Sequence, residues 1–158
     1  MTVKKIISGG QTGADRAALD FAIEHGIPHS GWVPKGRKAE DGAIPGTYQL
    51  QEMPDSNYSK RTEKNILDSD GTLIVSHGSL KDGSALTQFL AEQHGKPCLH
   101  VDLDTLSAEN GAILVNSWIE DNNIQVLNVA GPRARKDPEV YQATRKLLEV
   151  VFKGKFPL

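Results

Sequence analysis

Apolar and polar positions along this chain fall into two alternating rhythms. Val3 to Ser8 is a short apolar run of the kind found in a strand buried on both faces. Ala14, Ala18, Phe21 and Ala22 then recur at helical spacing, with Leu19 and Ile23 as a second stripe, which predicts a heavily buried helix from Ala14 to His25. Gly26 stops it and Pro28 follows as a breaker. A second strand is expected over His29 to Val33. Pro34 to Pro54 sustains no period and reads as a long connection, with Trp32 and Tyr48 favouring a loop that packs back onto the body. A helix is predicted from Ser56, its cap, to Asp68, with Thr62 and Ile66 inward and Leu67 beside them. Thr72 to Ser76 is the clearest strand after the first. The next helix carries Leu86, Phe89 and Leu90 inward and ends at Gly95 and Pro97. Cys98 to Asp102 is another strand. Ser107 caps a helix with Ala108, Ala112, Val115 and Ile119 on one side, and Ile124 to Val129 is a fifth strand. The last helix starts at Asp137-Pro138, with Val140, Thr144, Leu147, Leu148 and Val151 as its stripe.

Strand and helix alternate throughout. That pattern predicts an α/β fold: a mainly parallel sheet of five or more strands with helices on both faces, in one domain spanning residues 1–158. Ligands of such sheets bind beyond the carboxyl ends of the strands. Gly9–Gly13, His77–Ser84 and Gly131–Arg133 each follow a predicted strand, and a fourth strand ends near Lys35-Gly36, so these loops converge on one edge.

Composition narrows the class of partner. The chain has 158 residues, 18 Lys+Arg against 20 Asp+Glu, and a net charge of −2, so no basic field points to nucleic acid. Its single cysteine, Cys98, excludes an intrachain disulfide and a Cys-based zinc cluster. No apolar run approaches the roughly 20 residues that span a bilayer. The N-terminus enters a strand without a signal-peptide core. A cytoplasmic protein is expected. His25, His29, His77, His94 and His100 show no metal-ligand spacing, and only His77 lies in a strand-end loop.

The chemistry concentrates in Ile6 to Arg16, a strand, a glycine-rich turn and a helix start. Glycines at 9, 10 and 13 allow backbone N–H groups to converge where a helix presents unpaired donors, a nest for phosphate or a similar anion. Gly10, Gln11, Thr12 and Gly13 are assigned to those contacts; the alternative is a tight βα turn needing glycine for steric reasons alone. The run is neither a Walker A loop nor a dinucleotide fingerprint. Asp15 sits awkwardly beside an anion, and either supports the helix dipole or orients Arg16 or a ligand hydroxyl. Asp82-Gly83-Ser84-Ala85-Leu86-Thr87 repeats the logic at another helix start, where Ser84 and Thr87 serve a ligand or cap the helix. Lys35, Arg37, Lys38 and Arg61 form a cationic lid or a solvated charged surface, with Glu40-Asp41 partly cancelling their charge. No nucleophile–base pair stands out.

The combined motifs resemble one family. Gly9-Gly10-Gln11-Thr12-Gly13-Ala14-Asp15-Arg16, Gly31-Trp32-Val33-Pro34-Lys35-Gly36-Arg37, Glu40-Asp41-Gly42, Arg61-Thr62-Glu63-x-Asn65, Ser69-Asp70-Gly71-Thr72 and Asn128-Val129-Ala130-Gly131-Pro132-Arg133 are similar to the signature of molybdenum cofactor carrier proteins, within the SLOG superfamily of Rossmann-like domains. The resemblance covers nearly the whole chain. It implies a three-layer Rossmann-like fold, a homo-oligomer (dimer or tetramer), and a phosphate-bearing molybdenum cofactor held for delivery to apo-molybdoenzymes. The expected site gathers Gly9, Gly10, Gln11, Thr12, Gly13, Arg16, Lys35, Arg61, Ser76, Gly83, Ser84 and Thr87, with no catalytic residue and no metal ligand assigned. Superfamily phosphoribohydrolases carry Gly-Gly-x-Gly-Thr-x-x-Glu where this chain has Asp82 to Thr87 without the glutamate. A binding protein is therefore expected. The alternatives are an enzyme breaking the N-glycosidic bond of a nucleoside monophosphate through Asp15, Glu40, Asp41 or Glu63, and a nucleotide-sensing module. Single-stranded DNA binding lacks the basic and aromatic surface it needs.

Overall fold

The computed structural model describes residues 3–155. In chain order the elements are β1 (Lys5–Ile7), α1 (Ala14–Glu24), β2 (His29–Ser30), β3 (Trp32–Val33), β4 (Lys38–Ala39), β5 (Gly42–Ala43), β6 (Gln51–Glu52), α2 (Tyr58–Leu67), β7 (Gly71–Ser76), α3 (Asp82–Gln93), β8 (Cys98–Asp102), α4 (Ala108–Asp121), β9 (Val126–Ala130) and α5 (Val140–Phe152). The central sheet runs β2-β1-β9-β7-β8, and every pairing in it is parallel. Numbered from β9, the order becomes 3-2-1-4-5, a Rossmann order whose first strand is supplied last in sequence.

Period-two alternation divides the two faces unequally. Ile6, Leu73, Val75, Val101, Leu127 and Val129 point into a large core closed by Phe21, Ile119, Leu147 and Leu148 of α1, α4 and α5. The opposite face is covered by α2 and α3 through a smaller cluster of Ile66, Leu90 and Ala91, with Leu86 and Cys98 against it. There the strands present Thr72, Ser76 and Asn128, all buried, and Asn128 Nδ2 donates to Thr72 Oγ1 at 3.1 Å. The result is the three-layer Rossmann-like architecture. Among the described residues no helix is long and apolar enough to cross a membrane.

Several local expectations change. The expected strand over His29–Val33 divides at Gly31, where φ is +154° and an added Cβ would fall 1.9 Å from the Ser8 carbonyl oxygen. Its first half joins the central sheet, while Trp32 and Val33 pair with Gln51 and Glu52. Pro34 to Pro54 is ordered by that ladder and by the β4–β5 hairpin. Arg37 anchors it: its guanidinium donates to the carbonyls of Ile44, Pro45 and Tyr48 at 2.9, 2.7 and 2.9 Å. Asn57 rather than Ser56 caps α2, accepting from the Lys60 amide at 3.1 Å. The α-helical stretch of α5 begins at Val140, beyond Asp137-Pro138. Ile23, Leu67 and Phe89 face outward, Phe89 being 58% exposed.

Candidate functional site

A cleft of about 990 Å³ opens at the carboxyl ends of β1, β7 and β9. It lies where the strand order reverses, between β9 and β7, the usual ligand position in open parallel sheets. Its walls come from the loop after β1, the loop after β7 with the start of α3, the loop after β9, and Tyr58, Arg61, Thr62 and Asn65 of α2.

The glycine-rich loop spends its donors on internal acceptors. The Gly10 amide donates to Ser8 Oγ at 3.4 Å, Gln11 to Asp15 Oδ2 at 3.4 Å, Thr12 to Gln11 Oε1 at 3.0 Å, and Ala14 to the Pro132 carbonyl at 3.3 Å. The β4–β5 hairpin delivers two neighbouring carboxylates to the same helix start. Glu40 accepts from the Thr12 hydroxyl and from the Arg135 amide (3.1 Å), and its Oε1 lies 3.4 Å from Arg133 Nε. Asp41 takes both terminal nitrogens of Arg16 at 3.1 and 3.2 Å, which holds its carboxyl below the usual range. The anion seated beside Thr12 and Arg16 is thus the protein's own hairpin tip.

Deeper in the cleft, Arg61 crosses over Gly9. Its Nη1 is 3.5 Å from Asp15 Oδ2, and its guanidinium stacks over Tyr58 with 5.5 Å to the ring centroid. The buried Nε of Arg61 has no hydrogen-bond partner among the described residues. Burial pushes the Asp15 carboxyl up to about 6; Arg61, the Gln11 amide, Arg16 and the Gly9 amide pull the other way and only partly offset it. A guanidinium with donors to spare beside a carboxyl that resists ionisation is an arrangement able to take an oxyanion.

The facing wall is the uncapped start of α3. Its N-cap, Lys81, makes no side-chain capping bond, and Gly83 has open space beside its Cα. Ser84 and Thr87 are buried there, Thr87 donating back to the Gly83 carbonyl at 2.9 Å. Lys136 pairs with Asp82, and His77 Nδ1 meets Asp137 Oδ2 at 2.7 Å, so two polar pairs link the start of α3 and the loop after β7 to the turn before α5. Ser76 Oγ donates to the Gly78 carbonyl at 2.7 Å; its remaining contact, 2.6 Å from His100 Nε2, is therefore one in which the imidazole donates.

Of the residues expected at the site, Gly9, Gln11, Arg61, Ser76, Gly83, Ser84 and Thr87 line the cleft. Gly10, Thr12, Gly13, Arg16 and Lys35 lie outside the lining, and Lys35 is exposed. Of the possible acids and bases, Asp15 and Glu40 line it, whereas Asp41 pairs with Arg16 and Glu63 with His94. Lys81, from the expected loop His77–Ser84, and Asn128 and Arg133, both from the late motif Asn128–Arg133, join the lining though not assigned to the site, and Lys136 joins it without a local motif to announce it. Cys98 packs beneath α3 outside the cleft, its thiol pushed up to about 11 by burial. Among the described residues no cluster of three or more His, Cys, Asp or Glu is placed to hold a metal ion.

Residues 6–152 match the family described as Circularly permutated YpsA SLOG. A permuted order is what the placement of β9 displays. A crystal structure from Syntrophus aciditrophicus SB, described as that of a "Putative molybdenum carrier protein", is 73% identical over 95% of this chain and 95% of its own, with a TM-score of 0.94. No curated protein matches the chain.

Proposed function

Because the chain belongs to the circularly permutated YpsA SLOG family, we propose that it binds and carries a phosphorylated small-molecule cofactor in this cleft, with molybdenum cofactor the leading ligand. The observation that carries the reading is Arg61, a buried guanidinium whose Nε lacks a partner among the described residues and which lines the same cleft as the uncapped start of α3. Phosphate would be held by Arg61 and by the amides of Asp82 and Gly83 that open α3, the Ser84 amide being spent on the Lys81 carbonyl, with Ser76 and Asn128 on the wall between. With Cys98 outside the cleft, the residues lining it would hold the cofactor through its organic part and its phosphate. The volume suits a ligand of that size.

Cofactor added at about a hundred times its Kd should stabilise the folded chain by about 2.7 kcal/mol, read as a rise in melting temperature. Correctly folded protein whose melting point is unmoved by saturating cofactor overturns the reading. Mass spectrometry of small molecules released from the gently purified protein identifies the ligand independently. Assembly as a dimer or tetramer, and hand-over to apo-molybdoenzymes, belong to the same proposal; exposed Phe89, Ile113 and Leu114 are the positions where charged substitutions and sedimentation test the assembly.

One observation favours a second reading. A carboxyl raised toward neutrality in a cleft is a common general acid, so Asp15 is where cleavage of a nucleoside monophosphate would be run. Release of free base by the wild type, lost in Asp15→Asn, would establish it.

A further inference from the structure

Asp15 opens α1 on the cleft wall with its side chain only 7% exposed. At 3.5 Å its pairing with Arg61 is looser than the 2.7–2.9 Å usual for a charge-assisted hydrogen bond. An oxyanion drawn to Arg61 therefore also meets the Asp15 carboxyl. Two anionic oxygens side by side in a dry site do not both stay ionised. A single proton between them turns repulsion into a short O–H···O⁻ hydrogen bond.

Ligand chemistry decides where that proton comes from. A terminal phosphomonoester loses its second proton near pH 6, so it can bring the proton or accept it. A phosphodiester, a bridging pyrophosphate oxygen or sulfate brings none at neutral pH, and relies wholly on Asp15. We propose that Asp15 and the bound ligand share one proton, so that the Arg61 subsite selects a terminal phosphomonoester over diester, bridging or sulfate groups. This rests on the carrier reading only in requiring that an anion enter the cleft.

The surroundings agree with a shared proton. The charged groups acting on Asp15 are Arg61 from α2 and Arg16 from its own helix, and burial outweighs both, leaving the carboxyl at about 6. The Gln11 and Gly9 amides face it from the glycine-rich loop. Of the nearby hairpin carboxylates, Asp41 is held by Arg16, while Glu40 accepts from Thr12 through Oε2 and its buried Oε1, without a hydrogen-bond partner among the described residues, lies 3.4 Å from Arg133 Nε. On α5, which packs along α1, Arg145 pairs with Glu24.

Inorganic phosphate and sulfate are the probes, titrated into the full chain from about pH 5 to 8 and followed by calorimetry and by the Gly9 and Gln11 amide resonances. From about pH 6 to 7 sulfate affinity should fall about fivefold, and from pH 7 to 8 about tenfold more, while phosphate, which still carries a proton, keeps its affinity. Calorimetry in two buffers of different ionisation heat should record about one proton taken up per sulfate bound near pH 7. Asp15→Asn, whose amide donates to either anion, should bind both without that divergence. Parallel pH profiles for the two anions in the wild type, or sulfate binding without proton uptake, overturn the proposal without reference to any variant. So does divergence that persists in folded Asp15→Asn. If neither anion binds at any pH, the anion-binding reading of the cleft falls together with the proposal.

Discussion

Arg61 lies so close over Gly9 that a Cβ added at residue 9 would fall 1.7 Å from its Nη1 and 2.9 Å from Asp15 Oδ2. The glycine that heads the polar loop thus makes room for a guanidinium arriving from α2. Gly13, four residues on, answers a different demand: with φ +84°, its added Cβ would meet the Pro132 carbonyl oxygen at 2.3 Å. One glycine clears a side chain and the other clears backbone.

Those two positions should respond oppositely. Gly9→Ala is expected to fold with nearly normal stability while Arg61 swings away, weakening anion binding about tenfold or more, as Arg61→Ala does. Gly13→Ala, strained in φ and against rigid backbone, should lose about 1–3 kcal/mol in urea unfolding. Similar stability losses in both variants would show that Arg61 cannot yield.

Asp15 makes stability depend on pH in a defined sense. Its folded pKa is raised from 3.8 to about 6, so the folded state holds the proton more tightly than the unfolded chain. Its favourable contribution is complete below about pH 4 and is lost as pH rises to about 6. Relative to Asp15→Asn, the wild type should become less stable by about 3 kcal/mol across that window. Denaturant midpoints of the pair at pH 4, 5, 6 and 7 measure the difference; a constant gap between them contradicts it.

Asn65 closes a strand-like bridge from α2: Oδ1 accepts the Trp32 amide at 2.8 Å and Nδ2 donates to the Trp32 carbonyl at 3.0 Å. Asn65→Ala leaves two backbone groups unmet in a part-buried place and should cost about 2–3 kcal/mol. Trp32, whose indole donates to Asp68 at 2.7 Å, supplies the fluorescence signal for a loosened β3.

Asp20 receives two phenols, Tyr48 from the long connection at 2.5 Å and Tyr141 from α5. Burial and that carboxylate push Tyr48 up to about 12 and Tyr141 above the ordinary tyrosine range. Both stay protonated at pH 11, so their stabilising bonds persist below pH 10 and are lost as pH climbs through about 12. An ultraviolet titration should show two of the three tyrosines resisting ionisation at pH 11, and Asp20→Asn should bring both down.

Legibility tracked the range of the interaction. Five strands and five helices announced themselves because apolar runs and Gly or Pro punctuation act within a few residues of one another. The two-residue strands β3 to β6 are too short to leave a period, and Arg37 reaches carbonyls up to 11 residues away. Phe89 fitted the stripe of α3 but faces outward, because α2 covers only the Leu86–Leu90 side. At the site, the convergence of the strand-end loops followed from alternation alone. What spacing could not decide was whether the loop's amides serve a ligand or their own neighbours, since Ser8 and Asp15 offer acceptors two to four residues away. Glu40, 28 residues from Thr12, becomes its partner only through the hairpin.

The position of β9 also sets the order in which this chain can be assembled. Before β9 arrives, β1–β2 and β7–β8 are two separate ribbons with no hydrogen bonds between them, because Lys5–Ile7 and Gly71–Ile74 both pair with β9 rather than with each other. Each ribbon alone is too small to persist in water. The sheet, and with it the edge where the loops meet, must close in one late step that brings Val126–Ala130 between partners roughly 120 and 55 residues upstream. A ribosome making this protein therefore holds an unfinished sheet until β9 emerges, and the cleft comes into being at the same moment as that sheet.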